Sequence, residues 1–511
     1  MQRLFGLETE YGIQVHGVDD MDVVVESMEL IRCYSHDEFT ARWDYSLENP
    51  RLDMRGFEVD RLRNDEDETI HLQKDRQRQI PLSELKSDLI IGNGARLYND
   101  HTHPEYSTSE CNGLFDLIEQ DRAGEGILLH CARRRSANRG GGTVRLYKNN
   151  TDFEGHSYGC HENYLIDRQL PFQKVIDGLL PFLVTRQLFA GAGKVGIEQD
   201  RPDRPVPYQL SQRADFFETI ASVDTMQRRP LVNTRDEPHA EATRHRRLHL
   251  IVGDANMSEY ATALKVGTAL LFLDLLEAGQ LPEWTLADPI AALKSLSRTP
   301  AGPWPVALEG GGHVAALDIQ GDYLERARRL TQGRDPETDW VLHNWADCLD
   351  KLGRNPEELV GRCDWVTKKW LLDLFAADEG LDWDKPEDLA WLQSQDLEYH
   401  NIDPDEGLYL LLEQQGQVDR LTEPEDVLRA MTQPPADTRA WFRSQCVAKF
   451  GAAVKSLNWD SLELESDGGL TVVDLKTCVD VATARHYNQI LQRSATVAEL
   501  LAALPPAPES Q

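Results

Sequence analysis

Two short segments near the N-terminus constrain this chain more than any other feature. Arg3 to Val15 and Ile91 to Asp100 both read as β-strands, and both place ionisable side chains two residues apart. Successive side chains on a strand point to opposite faces, so residues i and i+2 share one. That puts Glu8 beside Glu10 in the first segment and groups Arg96, Tyr98 and Asp100 in the second, NGARLYND, while Ala95, Leu97 and Asn99 face the other way. A half-exposed antiparallel strand also alternates polar and apolar residues, so each strand alone is explained by a solvated face. If both belong to one sheet, however, carboxylates and an arginine converge. Clustered carboxylates repel unless a cation neutralises them, and hard oxygen ligands suit Mg²⁺, which commonly also holds phosphates. A third strand is expected over Thr143 to Asn150.

The segment after the second strand, HTHPEYSTSE, adds His101, His103, Glu105 and Thr108. His-x-His is a weak metal signal and fits a hydrogen-bonded turn equally well. Further on lie Arg213 in QLSQRAD, Arg235 in NTRDEPHAE, and Arg246, Arg247 and His249 in RHRRLHLIVGDAN. Guanidinium forks grip phosphate bidentately, so several arginines near a carboxylate face would suit a nucleoside triphosphate, although each alone fits a surface ion pair. The chain has no G-x-x-x-x-G-K-[ST] loop and no G-x-G-x-x-G after a strand, and the Gly140–Gly142 run is only a turn signal. Any nucleotide site is therefore neither Walker-type nor Rossmann-type. His245 and His249 lie four apart, but the apolar run that follows favours a strand over a zinc-binding helix.

Charge and composition exclude other classes. Against 86 acids stand 54 Lys and Arg, a net charge of −32, which argues against general nucleic-acid binding and electrostatic docking on anionic membrane. Eight cysteines contain no C-x-x-C pair, so neither a thiolate zinc site nor a disulfide scaffold is expected. In Ala263 to Gly279 the apolar run is interrupted by Lys265 and Asp274, leaving too little to span a bilayer. The N-terminus has no signal-peptide pattern, and scattered thiols fit a reducing compartment, so a cytoplasmic location is expected.

Residues 40–87 are polar and aperiodic and read as a long loop or insertion. Helices are expected over Gly113 to Arg135 and over Ser258 to Ala278, the latter apolar around most of its circumference, and through much of Gly333 to Gly407. The acid-rich Asp378 to Gly407 reads as a solvated face. After Pro434–Pro435, Thr438 to Leu501 carries its own apolar pattern, and the tail Pro505 to Gln511 is expected to be mobile.

In order along the chain, LETEYG, NGARLY, HPEYS, YKNNTD, SYGCHENYL, PFLVTRQ, LSQRAD, NTRDEPHA, RRLHLIVGDAN and NWDS closely resemble the Pup ligase/deamidase family. The resemblance covers nearly the whole chain and is weakest in residues 40–87 and 280–430. It implies an α+β fold: a curved antiparallel β-sheet cradle of glutamine-synthetase type packed with helices over residues 1–435, with the insertion at about 40–87, and a small C-terminal domain and tail over 436–511. It implies that Glu8, Tyr98 and Glu105 are magnesium ligands, with Glu10 in the same cluster. Asp100 would be the catalytic aspartate. Arg96, Thr108 and Trp459 match nucleotide-binding positions, and Arg213 and Arg235 match phosphate-facing arginines. The implied cofactors are Mg and ATP (or ADP plus phosphate), and the implied partners are the small modifier Pup, pupylated proteins and the proteasomal degradation pathway, with no nucleic acid and no membrane.

The family has a ligase branch, which joins Pup to lysines, and a deamidase (depupylase) branch. The segment ARWDYSLENPRLDMRGF, Ala41 to Phe57, is similar to a loop of the deamidase branch, and DHTHPEYS is similar to the same branch, whereas YGCHENYLI and KNNTD look closer to the ligase. The larger feature favours the deamidase. The implied activity is hydrolysis of the C-terminal glutamine amide of Pup and of the isopeptide bond to substrate lysines. The alternatives are the ligase reaction and a non-catalytic nucleotide- or Pup-binding protein. Pup proteins are acidic, so docking would need a locally basic or apolar groove, for instance near Arg133–Arg135.

Overall fold

The computed structural model describes residues 3–18, 21–34, 42–44, 48–62, 80–100, 102–198, 206–225 and 228–505. His101, the C-terminal tail from 506, and much of the 40–87 segment lie outside the described residues.

The centre is a six-stranded sheet in the order His245–Leu250, Cys160–Asp167, Phe5–Glu10, His103–Ser107, Arg96–Asp100, Leu89–Ile90, with every neighbouring pair antiparallel. The alternation seen in sequence gives this sheet one wet and one dry face. On the dry face Phe5, Leu7, Tyr164, Ile166, Leu248 and Leu250 join a large core with residues of the helices Leu114–Asn138, Phe172–Ala190 and Glu259–Glu277. Glu259–Glu277 is buried on almost all sides, as its apolar circumference predicts, and Ser258 caps it by accepting the Ala261 N–H at 3.1 Å. The polar stretch after 333 folds into the helices Pro336–Arg354, Asp364–Glu379 and Pro386–Tyr399. Among the described residues no helix is long and apolar enough to cross a membrane.

The expected first strand, Arg3 to Val15, is two strands. Phe5–Glu10 stays in the central sheet, whereas Gly12–His16 pairs with Thr143–Tyr147 in a separate ribbon. The switch occurs at Tyr11, which is fully buried and whose N–H donates to the Pro104 carbonyl. Alternation continues across the break, so periodicity alone does not reveal the change of partner. The expected Ile91 to Asp100 strand begins only at Arg96, after a turn that brings Leu89–Ile90 back alongside.

The 40–87 segment is not wholly irregular. Arg42–Trp43 adds a parallel edge to a four-stranded sheet whose other members are Val454–Asn458, Ser461–Ser466 and Gly469–Asp474. Leu52–Asp53 pairs with Phe57–Glu58, and Thr234 fastens this hairpin: its hydroxyl donates to Asp53 at 2.6 Å and its carbonyl accepts the Met54 N–H. Trp43 and Ile90 share a second core with Phe442, Leu457, Leu464 and Leu491, so the C-terminal residues pack around an anchor from the insertion. Glu110 ties this unit to the end of the central sheet, accepting from Arg439 Nε and Arg443 Nη1, each at 2.8 Å. Burial opposes ionisation of Glu110, but the two guanidinium groups hold its carboxyl down to about 2.

Candidate active site

Strand register assembles the wet face. Glu8 lies opposite His161 on one side and Ser107 on the other; Glu10 lies opposite Glu105, which in turn faces Tyr98; Asp100 faces His103. Arg96 is paired with Ser107, and Asn163 with His249. The sequence grouping of Arg96, Tyr98 and Asp100 is therefore present, and Glu8, Glu10 and Glu105 join it from two neighbouring strands.

Two groups of ligand-bearing atoms result. Carboxylate oxygens of Glu10, Asp100 and Glu105 lie within 4.8 Å of one another, and so do ligand atoms of Glu8, His161 and His249. Burial, together with Asp100, Glu8 and Glu10, pushes the Glu105 carboxyl well above its ordinary range, and its buried Oε1 has no hydrogen-bond partner among the described residues. Such an orphaned oxygen inside a carboxylate trio fits a divalent cation, which would relieve both the repulsion and the lost hydration. At Glu8 burial acts against ionisation, but the hydrogen bond with His161 and the nearby Arg247 charge outweigh it and hold the carboxyl well below the usual range. Asn163 donates to Glu8 at 3.0 Å, and Arg247 bonds Asn163 at 2.7 Å. Burial and the neighbouring Arg247 keep His249 neutral at ordinary pH, leaving an imidazole lone pair available. Burial, Glu105 and Asp100 likewise keep the Tyr98 phenol protonated.

Gly159 is required where these groups meet. A Cβ there would stand 2.2 Å from His161 Nε2 and 2.7 Å from Glu10 Oε1, and its N–H donates to that same Glu10 oxygen at 2.8 Å.

The face opens into a cleft of about 160 Å³ lined by Glu8, Glu10, Arg96, Tyr98, Asp100 and Glu105, with Arg229, Arg235 and Arg247 across it. A smaller, mostly apolar pocket of about 70 Å³ adjoins it; Thr108 and Leu7 line that pocket, and Glu8, His239, Arg247 and Trp459 line both. The inserted segment supplies part of the wall. Arg96 is sandwiched between the rings of Trp43 (4.0 Å) and Tyr98 (3.9 Å) while its Nε donates to Asp88 at 2.9 Å. Trp43 meets Trp459 edge to face at 5.3 Å and donates its indole N–H to Glu48.

Of the residues singled out in sequence, Glu8, Glu10, Arg96, Tyr98, Asp100, Glu105, Arg235 and Trp459 line the cleft. Thr108 lines the apolar pocket, its hydroxyl accepting the Leu7 N–H at 3.1 Å. Arg213 is not among the cleft-lining residues. It is fully buried, bonds the Ile251 and Gly253 carbonyls and the Ser157 hydroxyl, and lies near Arg229, whose charge helps burial lower its pKa to about 10. Arg229, His161, Trp43 and Glu48 were not read from the sequence. His161 alternates with Asn163 in CHENYLI, which was the available signal; His249 partners it, rather than His245.

The sheet's polar face thus gathers carboxylates, imidazoles and arginines beside an apolar pocket, a donor set that fits a divalent cation and a phosphate-bearing ligand. The Pup-ligase protein family model matches residues 3–463, and the chain belongs to that family. It is 41% identical to the depupylase of Acidothermus cellulolyticus over 99% of each chain, and 39% identical to the Pup deamidase/depupylase of Mycolicibacterium smegmatis over 98% of this chain and 99% of that one. The Pup–protein ligase of Nakamurella multipartita is 44% identical but aligns with only 76% of this chain and 86% of its own. Among solved structures, the Pup ligase PafA in complex with Pup superposes with a TM-score of 0.77 at 31% identity, covering 98% of this chain and 93% of that one. PafA in complex with ADP gives 0.71 at 33% identity, covering 89% of this chain and 98% of that one.

Proposed function

We propose that this chain is a deamidase of Pup and a depupylase, hydrolysing the side-chain amide of a C-terminal glutamine on Pup and the isopeptide bond between Pup and substrate lysines. The observation that carries the reading is end-to-end correspondence with depupylases, where the ligase aligns with only three quarters of the chain. The position of the inserted segment supports it, because Trp43 and Glu48 stand in the wall of the cleft.

Both reactions expel an amine from an acyl carbon, so one site serves both. Asp100 attacks the carbonyl or takes a proton from water, with Glu105 and Glu10 beside it. Glu8, Tyr98 and Glu105, with Glu10, would hold magnesium, and Arg96, Thr108, Arg235 and Trp459 would hold the nucleotide, together supplying charge stabilisation for the developing oxyanion. Arg235 is held by its Nε bond to the Val223 carbonyl at 2.8 Å and faces the cleft, while Arg213 backs Arg229 from within the fold. The apolar pocket beside Trp459 suits a purine ring. Pup and pupylated proteins are the corresponding macromolecular partners.

The ligase reading uses the same face, and the likeness to PafA favours it as the second possibility. Purified protein given Pup ending in glutamine separates the two. Ammonia release is expected; ADP formation only with Pup ending in glutamate plus an acceptor lysine overturns the hydrolase reading.

A further inference from the structure

Behind the cleft lies a second chamber of about 360 Å³ that the chemistry above does not use. Glu48, Glu237 and His239 line both spaces, so the chamber adjoins the cleft at that end. At its other end Leu52 and Ala242 are exposed, so the space runs from the protein surface to the reaction face. Its walls come from four parts of the chain: the inserted segment, Arg168, the 236–242 loop, and the C-terminal unit through Asn458, Asp460 and Lys476.

The charges inside are ordered. Arg168 is saturated by Asp236, which it grips at 2.5 and 2.9 Å, and by the His245 carbonyl. Asp460 and Lys476 stand on the C-terminal side of the chamber. Over the walls as a whole, Glu48, Asp236, Glu237 and Asp460 outnumber Arg168 and Lys476 by two charges. At the inner junction Glu48 accepts the neutral indole N–H of Trp43, whereas Glu237 is ion-paired with Arg247 at 3.5 Å. A passage with that acidic excess disfavours a triphosphate and favours an ammonium group on a slender stem.

We propose that this chamber is the portal through which the lysine side chain of a conjugated protein reaches the cleft, and by which the freed amine leaves. The proposal rests on the depupylase reading and deepens it. In that hydrolysis water adds its oxygen to the acyl carbon, the C–N bond breaks, and the lysine nitrogen departs with the proton. A glutamine amide needs no such passage, because its leaving group is ammonia.

The two substrates therefore test the portal separately from the chemistry. Ala242 is exposed at the outer mouth and lines the chamber, not the cleft, so substitutions there leave the reaction face intact. Ala242→Arg places a like charge at the mouth and Ala242→Trp narrows it, while Ala242→Glu preserves the sign of the field. For a lysine-linked Pup–protein conjugate, kcat/KM is expected to fall about tenfold or more in the Arg and Trp variants, and to hold or rise in the Glu variant. Ammonia release from glutamine-terminated Pup should stay within about twofold in all three. Conjugate cleavage unchanged in both Arg and Trp variants, or both substrates falling together, overturns the portal. Wild-type protein inactive on both substrates overturns the hydrolase reading beneath it.

Discussion

Replacing Gly159 by alanine should disable the site while leaving the fold nearly intact. Gly159 has no positive φ, so alanine is compatible with its backbone, and the change removes freedom from the unfolded chain, which alone is worth about 0.4–1 kcal/mol in favour of folding. The cost is local. The new methyl would stand 2.2 Å from His161 Nε2 and 2.7 Å from Glu10 Oε1, whereas carbon contacts settle near roughly 3.5 Å. The imidazole must move by more than about 1 Å and the carboxylate by somewhat less, and both movements are easy because each atom ends a side chain. A displacement of about 1 Å in a reacting constellation costs on the order of a hundredfold in rate. Gly159→Ala should therefore lose about 3 kcal/mol of transition-state stabilisation in ammonia release from glutamine-terminated Pup. Its stability by urea unfolding should stay within about 1 kcal/mol of wild type. Activity within about threefold of wild type would refute the reasoning, and so would a loss fully accounted for by unfolding.

Other consequences follow from the same contacts. Trp43→Ala removes a buried ring from Arg96 and Trp459, and should cost about 3 kcal/mol of stability and weaken Mg–nucleotide binding in a calorimetric titration; unchanged affinity would contradict the assigned wall. Glu110→Gln leaves Arg443 and Arg439 without their anion and should destabilise by on the order of 3 kcal/mol in urea melts. Because the Glu110 carboxyl is held down to about 2 from an ordinary 4.5, its contribution is present above pH 4.5 and lost as pH falls toward 2; wild type should shed that stability in this window and the variant should not. Chelating divalent cations should abolish hydrolysis of both substrates, and magnesium should restore it; activity surviving chelation excludes the metal assignment. Pup is acidic and this chain carries −32, so binding measured against salt should weaken little or strengthen.

The reach of the sequence can be judged residue by residue. Parity along NGARLYND placed Arg96, Tyr98 and Asp100 on one face, because side-chain alternation is a property of a single strand. What parity does not carry is pairing. Nothing local to Phe5–Glu10 says that Glu8 will face His161 rather than another residue, nor that the chain changes sheets at Tyr11. His161 carries no distinct signal in sequence, because one histidine alternating with asparagine looks like any half-wet strand. Arg213 reads like its fellow arginines, yet it caps a buried 3₁₀ turn, and its Nε and Nη1 are held by the Ser157 hydroxyl and the Ile251 carbonyl. The two-residue strands of the insertion are too short for a period, and their register depends on Thr234 and Val454–Asn458, which are distant in sequence.

The most direct test of the whole account is Asp100→Asn, measured for both binding and chemistry. Asparagine keeps the shape at the edge of the carboxylate trio and removes the charge that attacks or accepts a proton. The variant should bind Mg–nucleotide within a few-fold of wild type and release no measurable ammonia from glutamine-terminated Pup. Near-normal hydrolysis by the asparagine protein would contradict the claim that this aspartate carries out the reaction.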